Sequence, residues 1–268
     1  MIYCNLKGGL CNMMFQIAAA RAFAIDAGVD CSFPNLKDNL RYIDEHKVTA
    51  PYGWPRTYGV ESNVLLGSLR TDPASNAGYE GFPFHYEPKS VKPNTVIDGF
   101  FQSEKYFVRH RQAVLDLFDF SFVSDKFLND KYPFLKTKRV TSIHVRRGDY
   151  VIKPECHPPQ TVEYYKKAMD LLRDKTDLFL VSTDDVEWCK DNLAADNVMI
   201  IDDEKDYIEL YVMSLCDNNI ICNSSYGWWG AWLNRHENKI VIGPQLWFGP
   251  TLAAHDTSDI LPSSWIKV

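Results

Sequence analysis

The second half of the chain alternates short apolar runs with segments of helical spacing. The apolar runs are rich in β-branched residues and are bounded by polar or turn-forming residues, which is the pattern of buried strands. After the first run, Val162, Tyr165, Met169 and Leu172 recur on one helical face. Strands that alternate with helices predict an α/β layer whose parallel sheet is buried on both faces. The predicted strands are 140–145, 178–181, 198–201, 219–222 and 239–242, and a helix is expected after each of the first four.

The first half begins in the same way. Residues 2–6 predict a strand, Lys7-Gly8-Gly9-Leu10 predicts a flexible loop, and Asn12 is expected to cap a helix. Apolar residues at helical spacing extend this helix to about Gly28, and a strand at 30–33 follows. The loop lacks the pattern Gly-x-Gly-x-x-Gly, so it is not a dinucleotide-binding fingerprint.

The rest of the first half is less regular, and residues 34–94 receive no firm assignment. Residues 95–100 predict a strand, and 104–118 predict a helix. The polar stretch 121–138, with Pro133, predicts a boundary between domains. The two domains expected from this are 1–135 and 136–268.

Composition and charge narrow the class of protein. The 268 residues carry a net charge of −6, which argues against a nucleic-acid partner. No apolar run reaches the roughly 18 residues of a membrane span, and the N-terminus has no basic segment followed by an apolar one. Seven cysteines without a Cys-x-x-Cys pair predict reduced thiols, with neither a disulfide framework nor a metal site. We therefore expect a cytoplasmic protein without a transmembrane segment.

Three polar loops follow predicted strands of the second half, at 144–150, 182–185 and 223–226. In a doubly wound sheet, ligands bind beyond the carboxyl ends of the strands. Each loop alone has an ordinary structural explanation: a surface ion pair with Asp149, a core histidine at His144, or a helix cap. The three together predict a nucleotide pocket.

The residue types in these loops suit the parts of a nucleotide. A fork of guanidinium donors matches phosphate oxygens, so Arg146 and Arg147 are expected to hold a diphosphate. A carboxylate accepts two N–H groups from the edge of guanine, and either Asp184 or Asp185 could do this.

The third loop opens a helix, and a helix N-terminus attracts anions. Ser224, Ser225 and the first amide groups of that helix can therefore bind the same phosphates. Trp228, Trp229 and Trp232 follow helical spacing, which favours a place in the core over stacking on a sugar.

These loops resemble, in order and spacing, the three motifs of the α-1,2-fucosyltransferases of glycosyltransferase family 11. The segments are His-Val-Arg-Arg-Gly-Asp-Tyr at 144–150, Ser-Thr-Asp-Asp at 182–185 and Asn-Ser-Ser-Tyr-Gly-Trp-Trp-Gly-Ala-Trp-Leu at 223–233. Residues 8–16 resemble the N-terminal Gly-Gly-Leu-Gly-Asn-Gln-Met-Phe-Gln stretch of that family. The resemblance implies a GT-B fold, with two Rossmann-like domains and the site between them. It also implies GDP-fucose as donor substrate, inversion at the sugar carbon, and no required metal or other cofactor.

The resemblance also implies roles for single residues. It places Arg146 on the β-phosphate, His144 and Asp185 on guanine, and Ser224 and Ser225 on the phosphates. Further substrate-binding residues implied by the motifs are Asn223, Gly8, Gly9 and Asn12.

Transfer also requires a group that takes the proton of the acceptor hydroxyl. The candidates are Asp149, Glu155 and His144, while Arg146 and helix amides would stabilise the charge that develops on leaving GDP. Glu155 lies near the place where α-1,6-fucosyltransferases carry a catalytic glutamate. The alternative interpretation is that Glu155 is a solvated loop residue without a catalytic role.

The leading hypothesis is a galactoside 2-alpha-L-fucosyltransferase of surface-glycan synthesis. It would move L-fucose from GDP-fucose to the 2-hydroxyl of a galactose-containing oligosaccharide, with residues 1–135 on the acceptor side and 136–268 binding the donor. A peripheral place at the membrane where glycans are assembled would fit this role. Two alternatives stay open: a transferase for another GDP-hexose, and a catalytically silent GDP-sugar-binding protein. Cys11 and Met13, which stand where the family has Gly and usually Gln, favour the silent protein and put the acceptor contacts in doubt.

Overall fold

The fold is known from a computed structural model, which describes residues 1–38, 66, 68–201 and 204–268. The chain forms two compact units. The first contains Met1–Phe120 and His255–Pro262, and the second contains Ser121–Ala254 and Ser263–Val268. The predicted α/β class is confirmed, because each unit is built on a parallel sheet as in a GT-B-like protein.

The division between the units differs from the expected one at 135/136. Residues 121–138 are not a linker, because they contain a helix and fold onto the second unit. Lys131 Nζ lies 2.6 Å from a carboxylate oxygen of Glu204, and the Tyr132 hydroxyl donates to the same carboxylate at 2.9 Å. The return of residues 255–262 to the first unit was not predicted. There Asp259 accepts a hydrogen bond from the Tyr86 backbone N–H at 2.8 Å.

The elements of the first unit are β1 (Ile2–Cys4), α1 (Leu10–Asp26), β2 (Cys31–Ser32), β3 (Gly78–Gly81), β4 (Thr95–Asp98) and α2 (Arg111–Leu117). The strands form a parallel sheet in the order β2-β1-β4-β3. Helix α1 is apolar on nearly every side and is therefore buried along most of its length. The helix begins one residue after its N-cap Gly9, so Asn12 lies inside the first turn and is not the cap that the sequence predicts.

Aromatic rings form the core beside α1. The rings of Phe82 and Phe101 have centroids 5.0 Å apart, and that of Tyr106 meets Phe101 edge-on at 5.1 Å. Tyr106 belongs to the first of two short 3-10 turns, at Glu104–Tyr106 and Val108–His110. They replace the first part of the single helix predicted over 104–118.

The elements of the second unit are α3 (Asp125–Lys131), β5 (Val140–Val145), α4 (Gly148–Ile152), α5 (Val162–Leu172), β6 (Leu178–Thr183), α6 (Val186–Leu193), β7 (Val198–Ile200), α7 (Asp206–Ser214), β8 (Asn218–Ile220), α8 (Ser225–Leu233), β9 (Val241–Gly243) and β10 (Ile266–Lys267). The six strands are parallel and have the order β10-β9-β8-β5-β6-β7. Counted from β5, this is the 3-2-1-4-5-6 order of a Rossmann fold, in which the strand order reverses between β5 and β8. The parallel sheet predicted from the apolar runs is confirmed, whereas α3, the short α4 and the edge strand β10 were not predicted.

The tryptophans of α8 belong to the core of this unit. Trp228, Trp229 and Trp232 are buried, and the rings of Trp228 and Trp232 are nearly parallel with centroids 6.1 Å apart. The preferred core interpretation is therefore confirmed. All seven cysteines are free thiols, as expected. Within the described ranges, no helix combines the length and apolar character needed to cross a membrane.

A buried polar network ties α7, α8 and the sheet together. The Asn219 side-chain amide donates to Ser142 Oγ at 2.7 Å and to the Met213 carbonyl at 2.8 Å. Its carbonyl oxygen accepts from Asn234 Nδ2 at 2.8 Å, and Asn234 Nδ2 also donates to the Cys216 carbonyl at 2.6 Å. Buried polar groups need such partners, so the network fixes how the helices sit on β8.

Replacing Asn219 with leucine should destabilise the protein. Leucine has a similar size but leaves the groups around Asn219 without partners, at a cost of about 1–3 kcal/mol for each one stranded. We expect the free energy of unfolding, measured in urea by tryptophan fluorescence, to fall by more than about 2 kcal/mol. Asn129→Leu, at an exposed position of α3, is the control and should change it by less than about 0.5 kcal/mol. Equal effects of both variants would contradict this role for the network.

Candidate functional site

The three polar loops lie at the carboxyl edge of the second sheet. His144 pairs with Ser182 and Val145 with Thr183 in the register of β5 and β6, so these two strands release their loops side by side. Strand β8 is the neighbour of β5 on its other side. The loops therefore meet at the point where the strand order reverses, which is where Rossmann folds bind ligands.

Arg146 is held between two carboxylates at this edge. Its Nη1 lies 2.9 Å from Asp184 Oδ2, while its Nη2 and Nε donate to Asp149 Oδ1 at 2.7 and 3.1 Å. The two partners differ in exposure, since 4% of the Asp184 side chain and 53% of the Asp149 side chain is accessible. The surface ion pair with Asp149 thus forms, and a buried carboxylate on the opposite side orients the same guanidinium.

Arg147 points into different surroundings. Its Nε donates to Asp185 Oδ2 at 3.0 Å, and its guanidinium lies 4.2 Å from the centroid of the Trp188 ring. Its backbone N–H donates to Asp184 Oδ1 at 2.9 Å. Arg147 therefore fastens the β5 loop to α6.

The two aspartates of the second loop have different roles in the fold. Asp184 is buried and bridges the Arg146 side chain and the Arg147 backbone. Asp185 is the N-cap of α6, because its Oδ1 accepts the backbone N–H of Trp188 at 3.1 Å. Asp185 thus fixes the start of a helix whatever ligand it meets.

Asn223 connects three segments around the site. Its Nδ2 donates to the carbonyls of Pro158 at 3.0 Å and Trp247 at 2.9 Å, and its Oδ1 accepts from Gln160 at 3.0 Å. Its backbone carbonyl accepts from the buried Tyr150 hydroxyl at 3.0 Å. The geometry thus gives Asn223 a structural part in holding the loop between α4 and α5.

The two serines occupy the start of α8. Ser224 is the N-cap and accepts the backbone N–H of Tyr226 at 3.3 Å, while Ser225 is the first helical residue and is partly exposed. His144 is buried beside them, with its Nδ1 3.3 Å from the sulfur of Cys222. The sequence predicted Cys222 only as a residue of a strand. Its position just before the third loop was the one sign that it lies at the candidate site.

Glu155 lies on the loop after α4, and hydrogen bonds hold its backbone carbonyl in place. Its carbonyl accepts from Thr251 Oγ1 at 2.7 Å and from the Thr251 backbone N–H at 3.0 Å. A Cβ at Gly249 would come within 2.4 Å of that carbonyl oxygen, so only glycine allows this approach. The residue itself is exposed.

The N-terminal candidates lie in the first unit, after β1. Gly8 has φ +83°, which favours glycine, and Gly9 caps α1. Asn12 Oδ1 accepts from Gln102 Nε2 at 2.8 Å. Cys11 and Met13 are both buried, so these departures from the family pattern lie in the core.

Asp98 forms a polar cluster at the carboxyl end of β4 that the sequence reasoning missed. It lies 2.6 Å from Lys7 Nζ and accepts from the Tyr79 hydroxyl at 2.7 Å. The hydrogen bonds from Lys7 and then Tyr79 lower the pKa of the Asp98 carboxyl group. A charged residue inside the strand predicted over 95–100 was the available signal. In the described part of the chain, no group of three or more His, Cys, Asp or Glu residues could hold a metal ion.

Comparisons with known proteins point to one family. The profile of "Glycosyl transferase family 11" matches residues 72–268. The chain is 30% identical over 307 aligned positions to the O-antigen biosynthesis glycosyltransferase WbnK of Escherichia coli, with 100% of both chains covered. It is 26% identical over 295 positions to an alpha-1,2-colitosyltransferase of Escherichia coli, covering 100% of this chain and 98% of that one. Its identity to galactoside alpha-(1,2)-fucosyltransferase 1 of Saimiri boliviensis boliviensis is 27% over 108 positions, or 37% of this chain and 30% of the relative.

Asp185→Ala should destabilise the second unit, because it removes the N-cap of α6. The loss of a capping carboxylate costs about 0.5–2 kcal/mol. Asp185→Asn is the matched variant, since asparagine caps a helix about as well as aspartate. We expect urea unfolding to show a clear loss for alanine and less than half of that loss for asparagine. Equal losses would mean that the charge opposite Arg147, and not the cap, stabilises the fold.

Proposed function

Because the chain belongs to glycosyltransferase family 11, we propose that it transfers L-fucose from GDP-fucose to the 2-hydroxyl group of a galactoside. The ordered motifs at 144–150, 182–185 and 223–233 support this proposal. Two relatives whose names specify an α-1,2 linkage support it further. The O-antigen relative favours a surface glycan as the product.

The observation that carries the proposal is the setting of Arg146. Its guanidinium lies at the reversal point of a Rossmann sheet and contacts the buried carboxylate of Asp184 at 2.9 Å. A cation fixed at that point suits a diphosphate, since ligands of this fold bind beyond the carboxyl ends of the strands. The N-terminus of α8, which begins at Ser225, leads from the next strand and adds backbone N–H donors of the kind that bind phosphate.

The two carboxylates around Arg146 suggest how a diphosphate would enter. Asp149 is the exposed partner and can swing away, whereas Asp184 is buried and keeps the guanidinium oriented. In the bound state the diphosphate would replace Asp149 as the partner of Nη2 and Nε. Two oxygens of a phosphate group can accept two parallel hydrogen bonds from such a fork.

The mechanism follows from this arrangement. The acceptor 2-hydroxyl oxygen attacks the anomeric carbon of fucose from the face opposite GDP, and the bond between that carbon and the phosphate oxygen breaks. The electron pair leaves with GDP, where Arg146 and the α8 amides stabilise the developing charge. The proton of the hydroxyl passes to one of three candidate groups, which are Asp149 after its release from Arg146, Glu155 and His144. The configuration at the anomeric carbon is inverted.

A screen of donors and acceptors that follows GDP release would test the function. We expect turnover with GDP-fucose and a terminal galactoside, and we expect it to persist in EDTA because the protein's own donors stabilise the diphosphate. A galactoside without its 2-hydroxyl group should not react. GDP binding without turnover on any galactoside would favour a silent GDP-sugar-binding protein instead.

Another GDP-hexose is the second candidate donor, because one full-length relative is a colitosyltransferase. Colitose differs from fucose only by the absence of the 3-hydroxyl group. A site that hydrogen-bonds that hydroxyl would discriminate strongly against colitose, whereas an apolar pocket would accept both sugars. The ratio of kcat/KM for GDP-fucose and GDP-colitose therefore separates the two candidates.

Arg146→Lys should abolish most transfer while the protein stays folded. Lysine keeps the charge but loses the planar fork, so it cannot support two parallel bonds to the phosphate. We expect kcat to fall about 10²–10³-fold, with a smaller change in apparent donor affinity, because the lost contact acts on charge that develops in the transition state.

Arg173→Lys is the matched control, since Arg173 forms an exposed ion pair with Asp170 three residues away. It should keep wild-type kcat, and thermal unfolding should show both variants folded. A near-normal kcat for Arg146→Lys would remove Arg146 from the reaction.

Asp149→Asn should strengthen GDP binding, because it weakens the carboxylate that competes with the diphosphate for Arg146. We expect the dissociation constant measured by calorimetry to fall about two- to tenfold, the worth of one hydrogen bond of this kind. Asp170→Asn, in the exposed Asp170–Arg173 pair, is the control and should leave it unchanged. Weaker GDP binding in Asp149→Asn would contradict the proposed exchange of partners. Turnover of the same variant tests separately whether Asp149 is the base. If it is, kcat should fall about 10²–10⁴-fold.

A further inference from the structure

The sheet of the first unit reverses its strand order between β1 and β4, because β1 has β2 on one side and β4 on the other. In open parallel sheets, ligands bind beyond the carboxyl ends of the strands at such a reversal point. Lys7 follows β1 and Asp98 ends β4, so the ion pair between them stands at this point. Each unit therefore carries a polar cluster where its own sheet reverses.

The fold holds the partners of Asp98 in place. The Gln16 side chain clasps the Lys7 backbone, since its Oε1 accepts the N–H at 3.0 Å and its Nε2 donates to the carbonyl at 2.8 Å. Tyr79 stands two residues before Gly81, the register partner of Asp98, so the side chains of Tyr79 and Asp98 lie on one face of the sheet. Lys7 Nζ lies 2.6 Å from Oδ1 of Asp98, and the Tyr79 hydroxyl lies 2.7 Å from Oδ2. The carboxylate is thus oriented from both sides.

Two accessible aromatic rings border this ion pair. Tyr79 is 69% exposed and Phe100 is 37% exposed. Lys7 Nζ lies 4.9 Å from the centroid of the Phe100 ring, so this ring belongs to the same cluster. Aromatic rings with a few convergent polar groups are typical of binding sites. A sugar ring matches such a surface, because it has an apolar C–H face and a rim of hydroxyl groups.

The charge of the cluster suits a neutral ligand. The hydrogen bonds from Lys7 and then Tyr79 lower the pKa of the Asp98 carboxyl group, so it is ionised at neutral pH and its charge cancels that of Lys7. A diphosphate gains nothing from such a pair, in contrast to the guanidinium of Arg146. A sugar hydroxyl both donates and accepts hydrogen bonds. It can donate to the carboxylate while a neighbouring hydroxyl accepts from the ammonium group, which carries three N–H donors.

We propose that Lys7, Tyr79, Asp98 and Phe100 form a saccharide-binding site in the first unit. Two hydroxyl groups of the sugar bind the Asp98–Lys7 pair, and the apolar face of the sugar packs on Phe100. We assign this saccharide to the galactoside acceptor, and that assignment rests on the proposed function. The site then contributes to specificity, because a site that hydrogen-bonds a hydroxyl group strongly rejects a sugar that lacks it.

Binding without any donor tests the site directly. The full-length protein is titrated with methyl β-galactoside, methyl α-galactoside and lactose at millimolar concentrations, and saturation-transfer NMR follows the bound sugar. We expect at least one of them to bind, and we expect Asp98→Asn and Phe100→Ala each to raise its dissociation constant about fivefold or more. Asp72→Asn, in the exposed Arg70–Asp72 ion pair of the same unit, is the matched control and should leave it unchanged. The absence of binding of all three sugars to the wild type would overturn the proposal.

Turnover of the acceptor found in the donor and acceptor screen gives a second reading. Asp98→Asn keeps the shape of the side chain but removes the charge to which a hydroxyl donates. We expect the acceptor KM to rise about 10- to 100-fold, the range for a hydrogen bond to a charged group, while the donor KM changes less than about twofold. An ion pair that only stabilised the fold would not separate the two KM values.

The two measurements distinguish failure of this site from failure of the proposed function. If the wild type turns over a galactoside and both Asp98→Asn and Phe100→Ala keep the acceptor KM within about twofold, the site is wrong and the function stands. If a sugar binds, the variants lose it and no donor is turned over, the site stands and the function fails. Thermal unfolding checks that the variants are folded, and Phe100→Ala alone decides the result if Asp98→Asn is not.

Discussion

The buried carboxylate of Asp184 holds together the carboxyl edge of the second sheet, where the candidate site lies. A carboxylate removed from water is costly unless it is paired, and Asp184 is paired twice, with the Arg146 guanidinium and the Arg147 backbone N–H. These contacts join the loop after β6 to the loop after β5. The arginine that we propose to bind the diphosphate is therefore oriented by the protein itself, which is the condition for electrostatic catalysis.

Much of the fold, and the meeting of the three polar loops at one edge of the second sheet, could be predicted, because periodicity and strand ends are local properties of the sequence. The apolar runs predicted the strands of the second sheet, and the loops that follow these strands pointed to Arg146 and its neighbours. The roles of adjacent residues could not be predicted, since Asp184 and Asp185 look alike in the sequence. Only packing distinguishes the buried bridge from the helix cap. The same holds for Asn223, whose amide is recognised as a structural tie only when its distant partners are known.

Polar residues inside the sheet are the other feature that the apolar pattern concealed. Strand β8 carries Asn218 and Asn219, both buried, in the centre of the sheet next to the reversal point. Asn218 Oδ1 accepts the Ile240 backbone N–H at 2.9 Å, while Asn219 ties α7 to the sheet. An apolar strand would be as easily buried but would allow the helices several positions. Hydrogen bonds with one geometry select one of these positions, and α8 thereby starts at a fixed place after β8, the neighbour of β5.

The path of the chain between the two units has an evolutionary consequence. Because residues 255–262 belong to the first unit and 263–268 return to the second, the backbone passes between them at 120/121, 254/255 and 262/263. No single cut in the coding sequence separates one unit from the other. A chimaera that exchanged one unit between relatives would need several junctions, and one made by a single recombination event at 120/121 would leave the first unit without its own residues 255–262. Substitutions and loop insertions leave the shared backbone path intact, so they can change specificity without new junctions between the units.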